Sequence, residues 1–251
     1  MTITLAVANQ KGGVAKTTTV ASIGAALAEM GQKVLLVDLD PQACLTFSLG
    51  IDPEDLDLSV HHVLTKTLDP TEVIITTEDG VDLLPSTIEL ARAEADLLTR
   101  TGREFVIRGA LEACDYDWVL LDCPPSLGVL TVAALTAADG VLVPLQCETL
   151  SHRGVGQLLD TVHDVRKFTN RELEVWGVLP TLYDGRTNHA KAVLDNISEA
   201  YGLDVIEPPI PKSIRFAEAP AAGRSILSTA RSNRGADAYR EVAKNLVARA
   251  G

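Results

Sequence analysis

The chain has 251 residues, enough for one large core, with 46% hydrophobic residues, only 4% aromatic ones and a formal net charge of −12. Such a composition implies a core of Ala, Val, Leu and Ile, suited to buried parallel strands that need branched aliphatics on both faces. No apolar run is long enough to cross a bilayer, which excludes a spanning helix; the opening MTITLAVAN holds no secretory leader, and a soluble, cytoplasmic protein is expected.

Residues 2–8, TITLAVA, are short, apolar and β-branched at their start and are predicted as a strand. A glycine loop follows. TTTVASIGAALAEMG, 17–31, then places Ile23, Leu27 and Met30 on one helical face before Gly31 ends the helix. KVLLVD, 33–38, reads as a second buried strand, so the start of the chain is a βαβ unit with a parallel neighbour and a right-handed crossover. Further buried strands are predicted at 118–122, 140–145 and 175–180, with a weaker one at 81–84. Helices are predicted at 86–98, 103–114, 129–137, 151–168, 188–201 and 235–249. This alternation predicts an α/β fold, a doubly wound and mostly parallel sheet with helices on both faces and ligands at the carboxyl ends of its strands. Residues 1–251 are read as a single domain, with no separate N-terminal helix-turn-helix module before the first strand.

The loop itself, ANQKGGVAKTTT at 8–19, fails the usual phosphate-loop pattern, because Gln10 and Ala15 stand where its two glycines belong. The roles the chemistry needs are present all the same. Gly12 and Gly13 allow a tight backbone with inward N–H groups, Lys16 supplies a point charge for the β/γ oxygens, and Thr17 supplies a hydroxyl for Mg²⁺ at a helix start. Residues 11–18, Val14 and Thr18 included, are therefore candidates for holding a nucleotide. Ala15 adds one methyl, tolerable where its dihedrals are near-helical. Lys11, directly before the glycines, would bring a second cation to a phosphoryl transition state.

Asp38 and Asp40 stand two apart at the end of the second strand, so both side chains can lean to one face. Beside the phosphates, one carboxylate can hold a water of Mg²⁺ and the other can orient the attacking water. Asp122, ending the apolar WVLLD, is read as a Walker-B-like carboxylate linked to the metal through water. Mg²⁺ keeps most of its waters, which leaves Thr17 as its one direct protein ligand. No Asn-Lys-x-Asp motif for guanine appears, which favours ATP. Cys44, Cys114, Cys123 and Cys147 lack close-paired metal spacing and are read as buried thiols.

The negative charge is uneven. Residues 1–150 hold 8 Lys/Arg against 22 Asp/Glu, whereas residues 151–251 hold 14 against 12. Such asymmetry marks either an electrostatic partner surface or a solvated mixed-charge face.

KGGVAKTTT, VLLVDLDPQ and LLDCPPSLG, together with IPKSIRFAEAP, resemble the ParA/Soj/MinD family of deviant-loop ATPases, and the ParA/Soj branch most closely, over essentially the whole chain. The resemblance implies a P-loop NTPase fold of the SIMIBI type and a sandwich dimer in which Lys11 contacts the opposite protomer's ATP. It implies that Asp40 positions the attacking water, that Asp38 stands behind the metal, and that Pro211 lies by the adenine. Arg186 and Arg215 match arginines that bind DNA without sequence preference, and Lys167, Arg171, Lys191 and Lys212 would extend that patch. The implied protein is a nucleoid-associated ATPase with a ParB/Spo0J-like partner that segregates a chromosome, plasmid or other cargo. Where the family usually carries glycine, this chain has Ala15. The rival readings are a regulatory scaffold with little turnover and an iron–sulfur ATP-dependent reductase with an inter-subunit cluster. A MinD-like membrane helix is disfavoured, because GADAYREVAKNLVARAG sets Tyr239, Val242, Leu246 and Val247 on one face and reads as a packing helix.

Overall fold

Short aliphatic segments pair into one sheet of seven strands: β1 (Ile3–Val7), β2 (Val34–Asp38), β3 (Ile75–Thr76), β4 (Asp82–Leu84), β5 (Trp118–Asp122), β6 (Gly140–Gln146) and β7 (Glu174–Thr181). Their order across the sheet is β3-β4-β2-β5-β1-β6-β7, and every pairing is parallel except β3 with β4. The computed structural model describes residues 2–66, 68–112, 114–148, 151–185 and 188–251, with the backbone alone at Lys66, Ser151, His152 and residues 188–191.

The helices are α1 (Lys16–Glu29), α2 (Cys44–Ser48), α3 (Val60–Lys66), α4 (Leu90–Leu97), α5 (Val106–Leu111), α6 (Val129–Ala137), α7 (Ser151–Phe168), α8 (Asn188–Tyr201), α9 (Arg215–Glu218), α10 (Ile226–Thr229) and α11 (Arg234–Ala250). Strand alternation divides the core in two. Val34 and Leu36 of β2 face one side with α1, α2 and α11, while Leu35 and Val37 face the other with α3 to α8. The expected doubly wound α/β architecture is therefore the one observed. Among the described residues no helix is long and apolar enough to cross a membrane. Tyr239, Val242 and Leu246 of α11 are buried on the α1 side of the sheet, and Val247 packs partly buried beside them.

Several local expectations need correction. Met30, placed on the buried face of α1, is 41% exposed, because it caps the helix where the chain turns away. The helix expected at 86–98 is only α4, and the one at 103–114 begins as a 3₁₀ turn at Arg103–Phe105 before α5. Of the four cysteines only Cys123 is buried. Cys44 is exposed and the other two are intermediate.

The pairing of β6 with β7 carries a bulge. Val141 pairs with Val175 and Leu142 with Gly177, so Trp176 is the extra residue, and its indole turns against Gly140 and meets Trp118 edge to face. A Cβ on Gly140 would land inside that indole, whereas one on Gly109 of α5 would meet nothing within 4 Å. Urea denaturation should show Gly140→Ala losing about 1–3 kcal/mol through overpacking. The same measurement should show Gly109→Ala unchanged or gaining up to about 1 kcal/mol from helix propensity.

Candidate functional site

Three strand ends form the floor of the site. Val7 pairs with Asp122, and Asp122 with Asp38, so the ends of β1, β5 and β2 stand side by side in register. The chain leaving β1 becomes the loop 8–15, which opens α1 at this same edge. Strand order places β1 between β5 and β6, the point where crossovers depart in opposite directions and leave a crevice.

The loop is braced from two sides. Asn9 is buried; its Nδ2 donates to the Pro144 carbonyl at 2.8 Å, and its Oδ1 accepts from the Lys11 N–H at 3.0 Å. Thr181 at the end of β7 donates from Oγ1 to the Val14 carbonyl at 2.9 Å. Gly13 has φ 74° and Ala15 has φ 62° and ψ 35°, so two residues in three are left-handed. Near-helical dihedrals were the condition for tolerating a methyl at Ala15, and the backbone there is left-handed instead. The loop must reverse there to aim its amides inward, and an alanine in this region costs on the order of 1 kcal/mol. No side chain caps α1, so its first N–H groups are left for an anion.

Lys16 is buried, and its ammonium sits 3.5 Å from the Lys11 carbonyl at the lip of the loop. Lys11 pairs with Glu148 of the same protomer, a contact that is partly solvated, with side-chain exposures of 33% and 52%. Thr17 Oγ1 donates to Asp122 Oδ2 at 2.7 Å. The other oxygen of Asp122, Oδ1, is buried without a hydrogen-bond partner among the described residues. Burial pushes the Asp122 carboxyl well above its ordinary value, and the nearby Asp38 charge adds to the effect. A divalent cation fits this donor set. It would draw on the Thr17 hydroxyl, satisfy the orphaned oxygen, and offset two carboxylates crowded at one edge.

Asp38 is fully buried and pushed up to about 6, mainly by burial and against the hydrogen bonds that it accepts. Those bonds come from the Thr46 N–H at 2.9 Å, the Thr46 hydroxyl at 2.7 Å and the Asp40 N–H at 3.1 Å. Its carboxylate is thus turned toward α2. Asp40 is half-exposed, and its Oδ1 accepts from the Gln42 N–H at 2.9 Å.

The remaining candidates scatter. Pro211 bridges to Tyr183, two residues beyond Thr181, and lines a cavity of about 410 Å³ with Tyr183, Gly185, Pro208, Pro209 and Arg234. Arg215 is exposed on α9 and pairs with Glu218 at 2.7 Å. Arg186 lies outside the described residues, as does the side chain of Lys191. Lys212 is exposed near Arg215, but Lys167 and Arg171 are not brought to it. Residues 167 and 171 lie where α7 ends and β7 is about to begin, at the amino edge of the sheet, while 212–215 follow the carboxyl edge. Asn9, Thr46, Ser86, Glu148 and Thr181 are the supporting residues that sequence reasoning missed. A lone asparagine directly after an apolar strand was the one available signal.

Comparison with known proteins agrees with this geometry. A family model described as an AAA domain matches residues 2–175. The sporulation initiation inhibitor protein Soj of Bacillus subtilis is 43% identical over 247 residues, covering 97% of this chain and 98% of that protein. The chromosome partitioning protein ParA of Caulobacter vibrioides is 40% identical over 250 residues, covering 98% of this chain and 94% of its own length. A Mycobacterium smegmatis structure named cobyrinic acid a,c-diamide synthase, with bound ADP and magnesium, superposes with a TM-score of 0.89 at 55% identity, covering 98% of this chain and 94% of its own.

The buried, half-satisfied carboxylate yields a pH-dependent prediction. A carboxyl raised in the folded state contributes stability that is complete below the ordinary value of 3.8 and is lost as pH rises through the folded value. Without metal or nucleotide, Asp122→Asn should therefore be more stable than the wild type at pH 8, by on the order of 1–3 kcal/mol. Melting temperatures across pH 4–8 check this, and the advantage should shrink toward the acid end.

Proposed function

Because the chain belongs to the ParA/Soj family of deviant-loop ATPases, we propose that it works as an ATP-driven switch that closes into a sandwich dimer, binds DNA without sequence preference and is reset by partner-stimulated hydrolysis. It is an ATP hydrolase that forms ADP and phosphate with Mg²⁺ as cofactor. The observation that carries the reading is the convergence of loop 11–18, the Thr17–Asp122 pair and Asp40 on one registered strand edge.

In this reading the amides of residues 12–18 and the Lys16 ammonium hold the triphosphate, and Pro211 flanks the adenine. Thr17 Oγ1 would be the direct Mg²⁺ ligand and Asp122 would hold the metal through water, while Asp38, whose oxygens accept from Thr46 and Asp40, would stand behind it. When bound, the metal neutralises charge across the β- and γ-phosphates. Asp40 orients the water that attacks the γ-phosphorus. Lys11 must leave Glu148 to reach the opposite protomer. An exposed pair of this kind is worth only about 0–1 kcal/mol, so a triphosphate across the interface outcompetes it readily.

Arg186 and Arg215 are the proposed DNA contacts. Phosphate contacts of this type sum over a dimer's doubled surface and weaken steeply with salt, which answers the overall negative charge. Arg215 must exchange its Glu218 partner for phosphate. A ParB/Spo0J-like protein would accelerate hydrolysis and release the dimer, at the nucleoid, for segregation of a chromosome, plasmid or other cargo. Residues 1–251 would act together as one ATPase domain.

The name of the mycobacterial structure offers a second reading, synthesis of a diamide from a carboxylic acid. Transfer of an amide nitrogen through a cysteine nucleophile calls for an activated thiolate. All four thiols here are instead held above the ordinary value of 9.0, chiefly by burial, Cys147 to about 11. That favours the switch.

DNA retention at low salt, with ATP, with ADP and without nucleotide, tests the reading. Asp40→Ala should hold DNA in ATP, while Lys11→Ala, by preventing the dimer, and Arg186→Glu/Arg215→Glu, by removing phosphate contacts, should each lose it at least tenfold. Equal retention in ADP and ATP would refute the switch.

A further inference from the structure

The loop after β4 reaches the nucleotide edge from the side, because β4 lies beside β2 with Leu84 paired to Val37. Two residues further on, Ser86 donates from its hydroxyl to the Asp40 carbonyl at 2.8 Å, and its N–H donates to Thr46 Oγ1 at 2.9 Å. Thr46 in turn donates to Asp38 Oδ2, while Asp38 Oδ1 accepts from the Asp40 N–H. The four residues close a ring of hydrogen bonds, and Asp38, Thr46 and Ser86 in it are all 0% exposed.

Asp40 is the half-exposed member. Its backbone is pinned at both ends, N–H to Asp38 and C=O to Ser86, with a second bond to that carbonyl from the Ala43 N–H at 2.9 Å. Pinning both peptide groups fixes the direction of the Cα–Cβ bond and so the arc the carboxylate can sweep. Water-orienting groups lose large factors in rate for displacements of an ångström. We propose that Ser86 and Thr46 are positioning residues for ATP hydrolysis, acting through the backbone of Asp40. The inference rests on the reading of Asp40 as the water-orienting group.

The ring separates two kinds of change. Ser86→Ala keeps the N–H to Thr46 and removes the 2.8 Å bond to the Asp40 carbonyl, together with a longer 3.5 Å contact to the Thr87 carbonyl. Thr46→Val removes the hydroxyl that links Asp38 to Ser86, whereas Thr46→Ser retains it. The test measures single-turnover hydrolysis of Mg·ATP, the dissociation constant for a fluorescent ATP analogue, and the melting temperature of each purified full-length variant. Ser86→Ala should lower the hydrolysis rate about tenfold while the dissociation constant stays within about twofold of the wild type. Thr46→Val should fall similarly, and Thr46→Ser should keep most of the rate, which holds the test open should Ser86→Ala fold poorly.

A wild-type rate in both Ser86→Ala and Thr46→Val overturns the proposal. Parallel losses of rate, affinity and melting temperature also overturn it, because they mark general loosening of the site. Asp40→Ala serves as the reference. If Asp40→Ala hydrolyses at the wild-type rate, the reading of Asp40 fails and takes the positioning role with it. If Asp40→Ala stalls while the ring variants do not, only the positioning role fails.

Discussion

The alignment of Val7, Asp122 and Asp38 across three parallel strands is the constraint on which the site depends. Adjacent strands lie only about 4.8 Å apart, so this register sets two buried carboxylates beside one another and brings the loop leaving β1 to the same edge. The crowding is resolved unequally. Asp38 receives three hydrogen bonds from Thr46 and Asp40, whereas Asp122 receives one from Thr17 and keeps an oxygen with none. The unmet demand is thus concentrated where a hydrated cation bound to phosphates would sit. An orphaned buried oxygen costs stability at a place where ligand binding restores it.

The loop shows the same exchange in its backbone. Ala15 is held left-handed, a geometry that glycine takes without penalty, and it remains there because Thr181, Asn9 and the start of α1 determine the path on either side. Its departure from the glycine usual in the family thus concerns strain rather than space.

Much of this was legible in the sequence. The bounds of α6, α7 and α8 coincide with the segments expected from helical periodicity, and β5 with the run WVLLD. Each is long or apolar enough for its pattern to be unambiguous. α2, α3, β3, α9 and α10 were missed, because segments of two to seven residues carry too few periods and are held by tertiary contacts such as those of Asp79 with Ser225 and Ser228. At the site, Lys16, Thr17 and Asp122 could be named from glycines and strand ends. Their supports could not. Ser86 meets Thr46 across 40 residues, Lys11 meets Glu148 across 137, and Thr181 meets Val14 across 167, and no local pattern encodes such pairings.

The account rests on a cation and a triphosphate completing this edge and drawing Lys11 out of its own protomer. A crystal structure of Asp40→Ala with Mg²⁺ and ATP examines that directly. The account predicts a face-to-face dimer with the metal on Thr17 Oγ1, Asp122 one water away, and Lys11 on the opposite protomer's phosphates. A monomer with Lys11 still on Glu148, or a metal bound away from Thr17, would contradict it.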